Sequence, residues 1–145
     1  MPMWGVRVYA SRVSDHELPA AVRRLVDDCL NARSTEAMKD VFAPDYIHRW
    51  GFDGELPLEP YISVMSKWFA AFPDFTVVPE MVLSGGDLVA VRYRCTATHR
   101  GTLAGREPTG RPVQWRENFW YRVDAGRIAE DWEDYDFAGI LEQIS

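Results

Sequence analysis

The sequence has few of the residues that build disulfide or metal frameworks. Its two cysteines, Cys29 and Cys95, lie far apart inside apolar segments, which suits reduced core residues of a cytosolic protein better than a disulfide. The three histidines lack the short spacings of a zinc site, and no glycine-rich phosphate loop follows a predicted strand. We therefore expect neither a metal site nor a phosphate-binding loop.

Positive charge and long apolar runs are also scarce. Lys and Arg number 16 against 22 Asp and Glu, which gives a net charge of -6 without any basic run. Because nucleic-acid binding needs clustered Lys and Arg, DNA and RNA are not expected partners. No apolar run approaches the roughly 20 residues that span a bilayer, and residues 1–14 lack the apolar region and cleavage site of a secretory signal. These absences predict a soluble, cytoplasmic protein without a membrane partner.

The apolar content is that of one globular domain. A length of 145 residues with 47% hydrophobic residues is enough to bury a core without disulfides. We predict an N-terminal arm over residues 1–14 and a single domain over residues 15–145. Six tryptophans are the unusual part of the composition, and they favour an aromatic-lined cavity.

Helical periodicity occupies the first half of the chain. Apolar residues recur three and four apart in three segments, each of which predicts a helix with one buried face. The first follows a Ser-x-x-Glu capping box at residues 14–17, and the second is capped by Ser34 or Thr35. A short strand over residues 45–50 and a surface loop over residues 51–60 come next, and the third helix begins at Pro60.

From Phe75 onward the apolar period changes to two. This change predicts four strands, over residues 75–83, 87–100, 112–123 and 127–133, with glycine in the hairpin turns. Helices followed by a run of strands indicate an α+β domain. In such a domain helices cover one face of an antiparallel sheet.

A carboxylate and several aromatic side chains fall on inward faces of these elements. Glu117 alternates with Trp115 and Phe119 on one face of the third long strand. The aromatic side chains can stack on a flat ligand, although core packing explains them almost as well. The candidate ligand-binding residues are Trp50, Trp68, Phe72, Tyr93, Trp115 and Phe119.

Two histidines are candidates for a role beside such a carboxylate. His48 shares a strand face with Tyr46 and Trp50, next to a loop that would form a pocket mouth, and a catalytic role is as well supported as a structural one. His99 follows an inward-facing strand beside a glycine-rich loop. There a turn-stabilising hydrogen bond is favoured over catalysis, because an isolated histidine is weak evidence for a site.

Periodicity does not settle the inward face of the last strand. Apolarity selects Ile128 and Trp132, whereas the opposite parity brings Asp131 and Glu133 inside. If the carboxylates instead lie on a solvated face, they are expected to form ion pairs with nearby arginines. The candidate partners for such pairs are Arg94, Arg116 and Arg122.

Several motifs in the second half of the chain occur together in one known family. They are Phe72-Pro-Asp-Phe75, Pro108-Thr109-Gly110, Gly126-Arg-Ile128, Glu130-Asp-Trp132 and the ending from Asp136 to Ile144. With them the chain resembles the SnoaL-like polyketide cyclase (ester cyclase) family of the nuclear-transport-factor-two-like superfamily, from about Leu18 to Ile144. The resemblance implies a cone-shaped domain, in which a curved antiparallel sheet wraps around the N-terminal helices and encloses an apolar pocket. It also implies a homodimer.

The resemblance further implies which residues carry the chemistry. In the polyketide cyclases of this family, aldol closure needs no metal or cofactor, and an aspartate near the end of the last strand acts as acid and base. That aspartate falls on Glu133, which turns Asp131 and Glu133 inwards. The supporting glutamine and histidine of the family fall on Glu117 and Phe119. This chain therefore lacks the supporting histidine and has a second carboxylate, Glu117, in place of the glutamine. This difference points to a diverged cyclase, an isomerase or an epoxide-opening enzyme.

The chemistry of an enclosed carboxylate pair supports this expectation. Burial raises the pKa of a carboxyl group, and a second carboxylate nearby raises one of the pair further. Glu117 and Glu133 in one cavity would therefore deprotonate an acidic carbon and reprotonate an oxyanion, with Asp131, His48 and His99 in support. We predict a cofactor-independent cyclase or isomerase that acts on a hydrophobic, polyketide-derived small molecule. The alternatives are an epoxide hydrolase of the same superfamily and a non-catalytic binding module.

Overall fold

The computed structural model describes residues 18–145, so the predicted N-terminal arm and the capping box at residues 14–17 lie outside the described residues. Helix α1, Ala20–Arg24, continues directly as a π-helical stretch, Leu25–Leu30. The other helices are α2, Thr35–Val41, α3, Leu58–Ala71, and α4, Phe137–Gln143. The strands are β1, Phe42–Trp50, β2, Gly54–Pro57, β3, Thr76–Gly85, β4, Leu88–Thr98, β5, Pro112–Asp124, and β6, Arg127–Tyr135. Among these residues no helix is both long enough and apolar enough to cross a membrane.

The six strands form one curved, open sheet in the order β2-β1-β6-β5-β4-β3. The predicted α+β class is confirmed, and β3 to β6 form the predicted meander of antiparallel neighbours. The sheet is mixed rather than purely antiparallel, because β1 returns to lie parallel to β6. Within residues 18–145, this parallel pair joins the first strand to the last one.

The segment between β1 and α3 is more ordered than the predicted surface loop. Residues 54–57 form β2, which pairs with β1, and α3 begins at Leu58 instead of Pro60. Pro60 then lies in the first helical turn, where its missing N–H removes no intrahelical hydrogen bond. The cap of α2 follows the prediction, because the Ser34 side chain accepts a hydrogen bond from the Ala37 backbone N–H at 3.3 Å.

The hydrophobic core lies between the helices and the inner face of the sheet. Burial alternates along β4 and β5 as predicted, with Val91, Tyr93 and Cys95 buried on β4 and Trp115 and Phe119 buried on β5. The loop after β4 is attached to the end of α3, because the backbone N–H groups of residues 100 and 101 donate to the Ala71 carbonyl. These contacts fix the helical layer over the sheet.

One asparagine side chain ties the edge strand β3 to the helical layer. The Asn31 amide donates to the Val77 carbonyl at 3.1 Å and accepts from the Val77 N–H at 2.8 Å. Asn31→Ala removes both bonds and leaves a partly buried strand backbone unpaired, so we expect a loss of about 2 kcal/mol in the free energy of unfolding, measured by urea denaturation. Asn118→Ala, which removes one long bond to Arg92 on the exposed face, serves as the control. Equal losses in the two variants would contradict this role.

Candidate active site

A β-bulge in the last strand decides which of its side chains face inwards. Two successive residues of β5 pair with Glu130 and Ile128, which leaves Ala129 as an extra residue on β6. A bulge reorients the side chains that follow it. Ile128 before the bulge and Asp131 after it are therefore both fully buried, and Glu133 also faces inwards. Before the bulge the apolar residue Ile128 faces inwards, and after it the acidic residues Asp131 and Glu133 face inwards.

Trp132 consequently faces away from the interior. It is partly buried and lies under the Arg49 guanidinium, whose central carbon is 5.6 Å from the ring centroid. Trp120 is its partner in the β5–β6 register and is half exposed. The outer face of the sheet thus carries two neighbouring tryptophans.

Inside the sheet lies a cavity of about 240 Å³, bounded by the helices, β1 and β2 as well as by β5 and β6. Among residues 18–145, three ionisable groups other than tyrosine face it, namely His48, Glu117 and Glu133. The mouth is marked by Trp50 and Val64, which are 40% and 47% exposed. Most of the wall is apolar or aromatic and comes from Leu25, Leu30, Trp50, Leu56, Tyr61, Val64, Met65, Trp68, Phe75 and Phe119.

His48 is held between two carboxylates. The parallel register of β1 and β6 sets it opposite Asp131, so Nδ1 is 2.7 Å from Asp131 Oδ1 and Nε2 is 3.2 Å from Glu133 Oε2. Burial by itself lowers the pKa of His48, but the hydrogen bonds and charges of the two carboxylates outweigh it and raise the pKa to about 9. At neutral pH His48 is therefore an imidazolium that donates to both acids.

Asp131 is fully buried and does not line the cavity. It accepts hydrogen bonds from the Tyr46 hydroxyl and from His48, each at 2.7 Å. Burial raises the pKa of Asp131, whereas these two donors oppose the rise. Because it contacts His48 and not the cavity, Asp131 orients the imidazole instead of meeting a ligand. Strand alternation places Tyr46 on the same face as His48, but it does not predict the contact of Tyr46 with Asp131.

The two cavity carboxyl groups have different surroundings. Glu117 accepts a hydrogen bond from the Trp115 indole at 3.0 Å. Burial and the charge of Glu133 raise the pKa of Glu117 to about 8, against the weaker opposition of Trp115 and Cys95. Burial also raises the pKa of Glu133, and the hydrogen bond and charge of His48 oppose this rise without cancelling it. At neutral pH Glu117 therefore keeps its proton, whereas the ionised form of Glu133 is the one that His48 stabilises.

The sheet register brings these two groups to the same part of the cavity. Glu117 pairs with Tyr135 and Glu133 with Phe119, so the two glutamates are diagonal neighbours on adjacent antiparallel strands. Such neighbours lie roughly 7–8 Å apart along the sheet. A small ligand between them can contact both carboxyl groups.

The arginines considered as partners for these carboxylates pair elsewhere. Arg116 Nε is 2.9 Å from Glu80, and Arg94 is 3.9 Å from the same carboxylate. Arg122 Nε is 2.7 Å from Glu130, which also pairs with Arg49. These ion pairs engage Glu80 and Glu130 and leave the cavity carboxyl groups to His48 and Trp115.

His99 lies apart from the carboxylates and does not line the cavity. It is fully buried, its Nδ1 accepts a hydrogen bond from the Thr109 N–H at 3.2 Å, and its ring packs against Phe72 with centroids 6.1 Å apart. This placement corrects its assignment to the catalytic group. It matches the turn-stabilising role, because the bond to Thr109 closes the loop that follows β4.

The candidate aromatic residues divide into two layers. Trp50, Trp68 and Phe119 line the cavity. The other three candidates are buried behind this layer and do not line the cavity, which differs from their prediction as ligand contacts. Phe72 and Trp115 pack between α3 and the sheet, and Tyr93 shares a hydrogen bond with Tyr121. Sequence reasoning missed Tyr61 as a lining residue, although its helical spacing placed it on the inward face of α3. Its ring stacks on His48 with centroids 4.4 Å apart.

An α+β domain in which a curved sheet encloses an apolar cavity under its helices has the cone-shaped fold of the nuclear-transport-factor-two-like superfamily. The family model for SnoaL-like polyketide cyclases matches residues 20–144, and the chain belongs to that family. Comparison with curated proteins finds no match.

Solved structures agree with this membership. IdmH of Streptomyces antibioticus, a candidate polyketide cyclase, shares 29% identity over 85% of this chain and 94% of its own, with a TM-score of 0.74. AclR of Streptomyces galilaeus, a candidate hydroxylase, shares 26% identity over 86% of this chain and 78% of its own, with a TM-score of 0.79. A candidate SnoaL-like cyclase of Jannaschia sp. CCS1 is 24% identical, covers 86% of this chain and 89% of its own, and has a TM-score of 0.79, which supports the shared fold.

Proposed function

We propose that this protein is a cofactor-independent cyclase or isomerase that acts by carboxylate acid–base catalysis on a hydrophobic, polyketide-derived small molecule. The observation that supports it most is the pair Glu117 and Glu133, which face one largely apolar cavity, with the cationic His48 bonded to Glu133 and a raised pKa of about 8 on Glu117. A base and an acid on either side of a small ligand are what enolisation requires. Membership of a cyclase family supports the same reaction class.

In the proposed reaction Glu133 removes a proton from a carbon next to a carbonyl group. Glu117 donates its proton to the oxygen that gains negative charge, either the enolate itself or the second carbonyl that the new carbanion attacks. In isomerisation Glu133 returns the proton to a different carbon, and the enol O–H returns its proton to Glu117. In aldol closure the product keeps the proton from Glu117, and the proton on Glu133 replaces it through water before the next cycle. This role requires Glu133 to be ionised, and the hydrogen bond and charge of His48 favour that form, whereas burial opposes it.

A simple ketone tests this proposal without knowledge of the natural substrate. We expect the protein to accelerate exchange of the acidic α-hydrogens of the bicyclic ketone 2-tetralone with deuterated water, followed by proton NMR. Binding of the ketone with exchange no faster than in buffer would contradict catalysis and support a non-catalytic binding module. Incorporation of labelled water oxygen into an epoxide probe, without ketone exchange, would support the epoxide hydrolase instead.

The exchange rate should depend on pH in a defined direction. Glu117 must be protonated to act as the acid, and its pKa is raised to about 8. We therefore expect the rate to fall roughly tenfold per pH unit above about pH 8, as the acid form of Glu117 is lost. A rate that keeps rising through pH 10, as simple base catalysis does, would contradict the acid role.

The proposal includes a homodimer formed through the outer face of the sheet in the cytoplasm. Leu83 and Trp120 are 72% and 50% exposed there, beside the same shallow groove. Large apolar side chains grouped on one surface favour an interaction site. Sedimentation velocity is expected to show a dimer, and a monomer at micromolar concentration would contradict it.

A further inference from the structure

A second cavity adjoins the mouth of the first. It measures about 310 Å³ and lies between the β1–β2 turn and the end of β6. Trp50 and Glu133 line both cavities. The second cavity is also lined by Arg49 and Trp132, so it lies towards the outer side of β1 and β6. Trp50 itself bounds the inner cavity of about 240 Å³ at its mouth.

Two contacts hold the Trp50 indole in this position. Its ring stacks on His48 with centroids 5.5 Å apart and planes 18° from parallel. The ring also lies directly against Gly54, its partner in the β1–β2 register, where an added Cβ would be only 2.5 Å from the indole. Residue 54 must therefore be glycine for the indole to occupy this place.

The small size of the inner cavity makes the position of Trp50 important for which ligands fit. Ligand pockets usually measure about 300–1,000 Å³, and the inner cavity falls below that range. Without the indole, the inner cavity would gain the volume of that side chain and a wider mouth. Trp50 is 40% exposed, so its side chain has room to move towards solvent.

We infer that Trp50 is the residue that determines ligand size, and that Gly54 keeps it in the restrictive position. This inference rests on the proposed function, because it concerns the cavity in which Glu117 and Glu133 act. It narrows the substrate class to molecules whose reacting part is a compact apolar body of one or two rings. A larger fused ring system is excluded by the indole and not by the catalytic groups.

The test uses two uncharged aromatic alcohols, naphthalenemethanol with two fused rings and pyrenemethanol with four. Their affinities are measured by probe fluorescence for the wild type, Trp50→Ala, Gly54→Ala and the control Trp120→Ala, which removes a tryptophan from the outer face. The wild type should bind naphthalenemethanol at least tenfold more tightly than pyrenemethanol. Trp50→Ala should reverse or abolish this preference by a gain of at least tenfold for pyrenemethanol.

Gly54→Ala supplies an independent check that retains the indole. Because the new methyl group displaces Trp50, this variant should share the gain for pyrenemethanol, whereas Trp120→Ala should keep the wild-type preference. A wild-type preference in both Trp50→Ala and Gly54→Ala would overturn the inference and leave the proposed function standing. Failure of the wild type to bind naphthalenemethanol would overturn the proposed function and the inference together.

Discussion

Glu133→Gln is expected to lower the rate of α-hydrogen exchange on bound 2-tetralone by between about 10² and 10⁴, the usual contribution of a positioned general base. Glutamine has the shape of the acid but cannot take up a proton at neutral pH. Its side-chain oxygen can still accept the His48 Nε2–H, so the cavity should keep its shape. The dissociation constant of the ketone should therefore change by less than about threefold, because only the proton acceptor is lost.

Glu130→Gln is the matched control for this variant. Glu130 is on the same strand but faces outwards, where Arg122 and Arg49 hold its carboxylate. Loss of this surface ion-pair network should leave the exchange rate within about twofold of the wild type. Equal exchange rates in wild type and Glu133→Gln would show that another group is the base. Loss of ketone binding in Glu133→Gln would instead assign the residue to binding.

Glu117→Gln is expected to stabilise the protein at alkaline pH. The folded protein holds a proton on Glu117 up to about pH 8, whereas an unfolded chain releases it near 4.5. The folded state therefore binds more protons between these two values, and the free energy of unfolding of the wild type falls as pH rises through this window. Glutamine mimics the neutral acid and removes that loss.

The size of the effect follows from the two pKa values. Below pH 4.5 the variant and the wild type should have similar stability, and above pH 8 the variant should be more stable by about 5 kcal/mol. Urea denaturation across this pH range measures the difference. Glu80→Gln, which removes a carboxylate from the outer face, controls for the loss of one negative charge. A constant difference between Glu117→Gln and wild type at all pH values would contradict a buried, protonated Glu117.

His48 should contribute to the same fall in stability at a higher pH. Its pKa in the folded protein is about 9, above the ordinary 6.5, so its stabilising ion pairs are fully present below pH 6.5 and are lost as pH rises through 9. Glu117→Gln should therefore reduce the alkaline loss of stability without abolishing it.

The sequence predicted the elements that rest on local periodicity. The helical spacing of α3 and the alternation along β4 and β5 identified the inward faces correctly, and motif resemblance predicted both the family and the cone. Glu117 was identified as a buried carboxylate because it lies between two aromatic residues of the same strand face. These features depend on neighbours within one element.

The features that the sequence did not predict depend on pairing between distant elements. The bulge at Ala129 reverses the parity of β6, yet alanine carries no signal for a bulge. The contact of His48 with Asp131 and Glu133 requires β1 to pair in parallel with β6, more than 80 residues away in sequence. Which aromatic side chains line the cavity was equally hidden, because both layers share the same apolar pattern.

The central claim is that Glu117 and Glu133 hold opposite protonation states in one cavity. Carbon-13 NMR of glutamate side-chain carboxyls, assigned with Glu117→Gln and Glu133→Gln, measures both titrations directly. Glu117 is predicted to titrate near pH 8, and Glu133 is predicted to ionise at a lower pH. Titration of both groups together near the ordinary value of 4.5, or retention of the proton by Glu133 to a higher pH than Glu117, would contradict the claim.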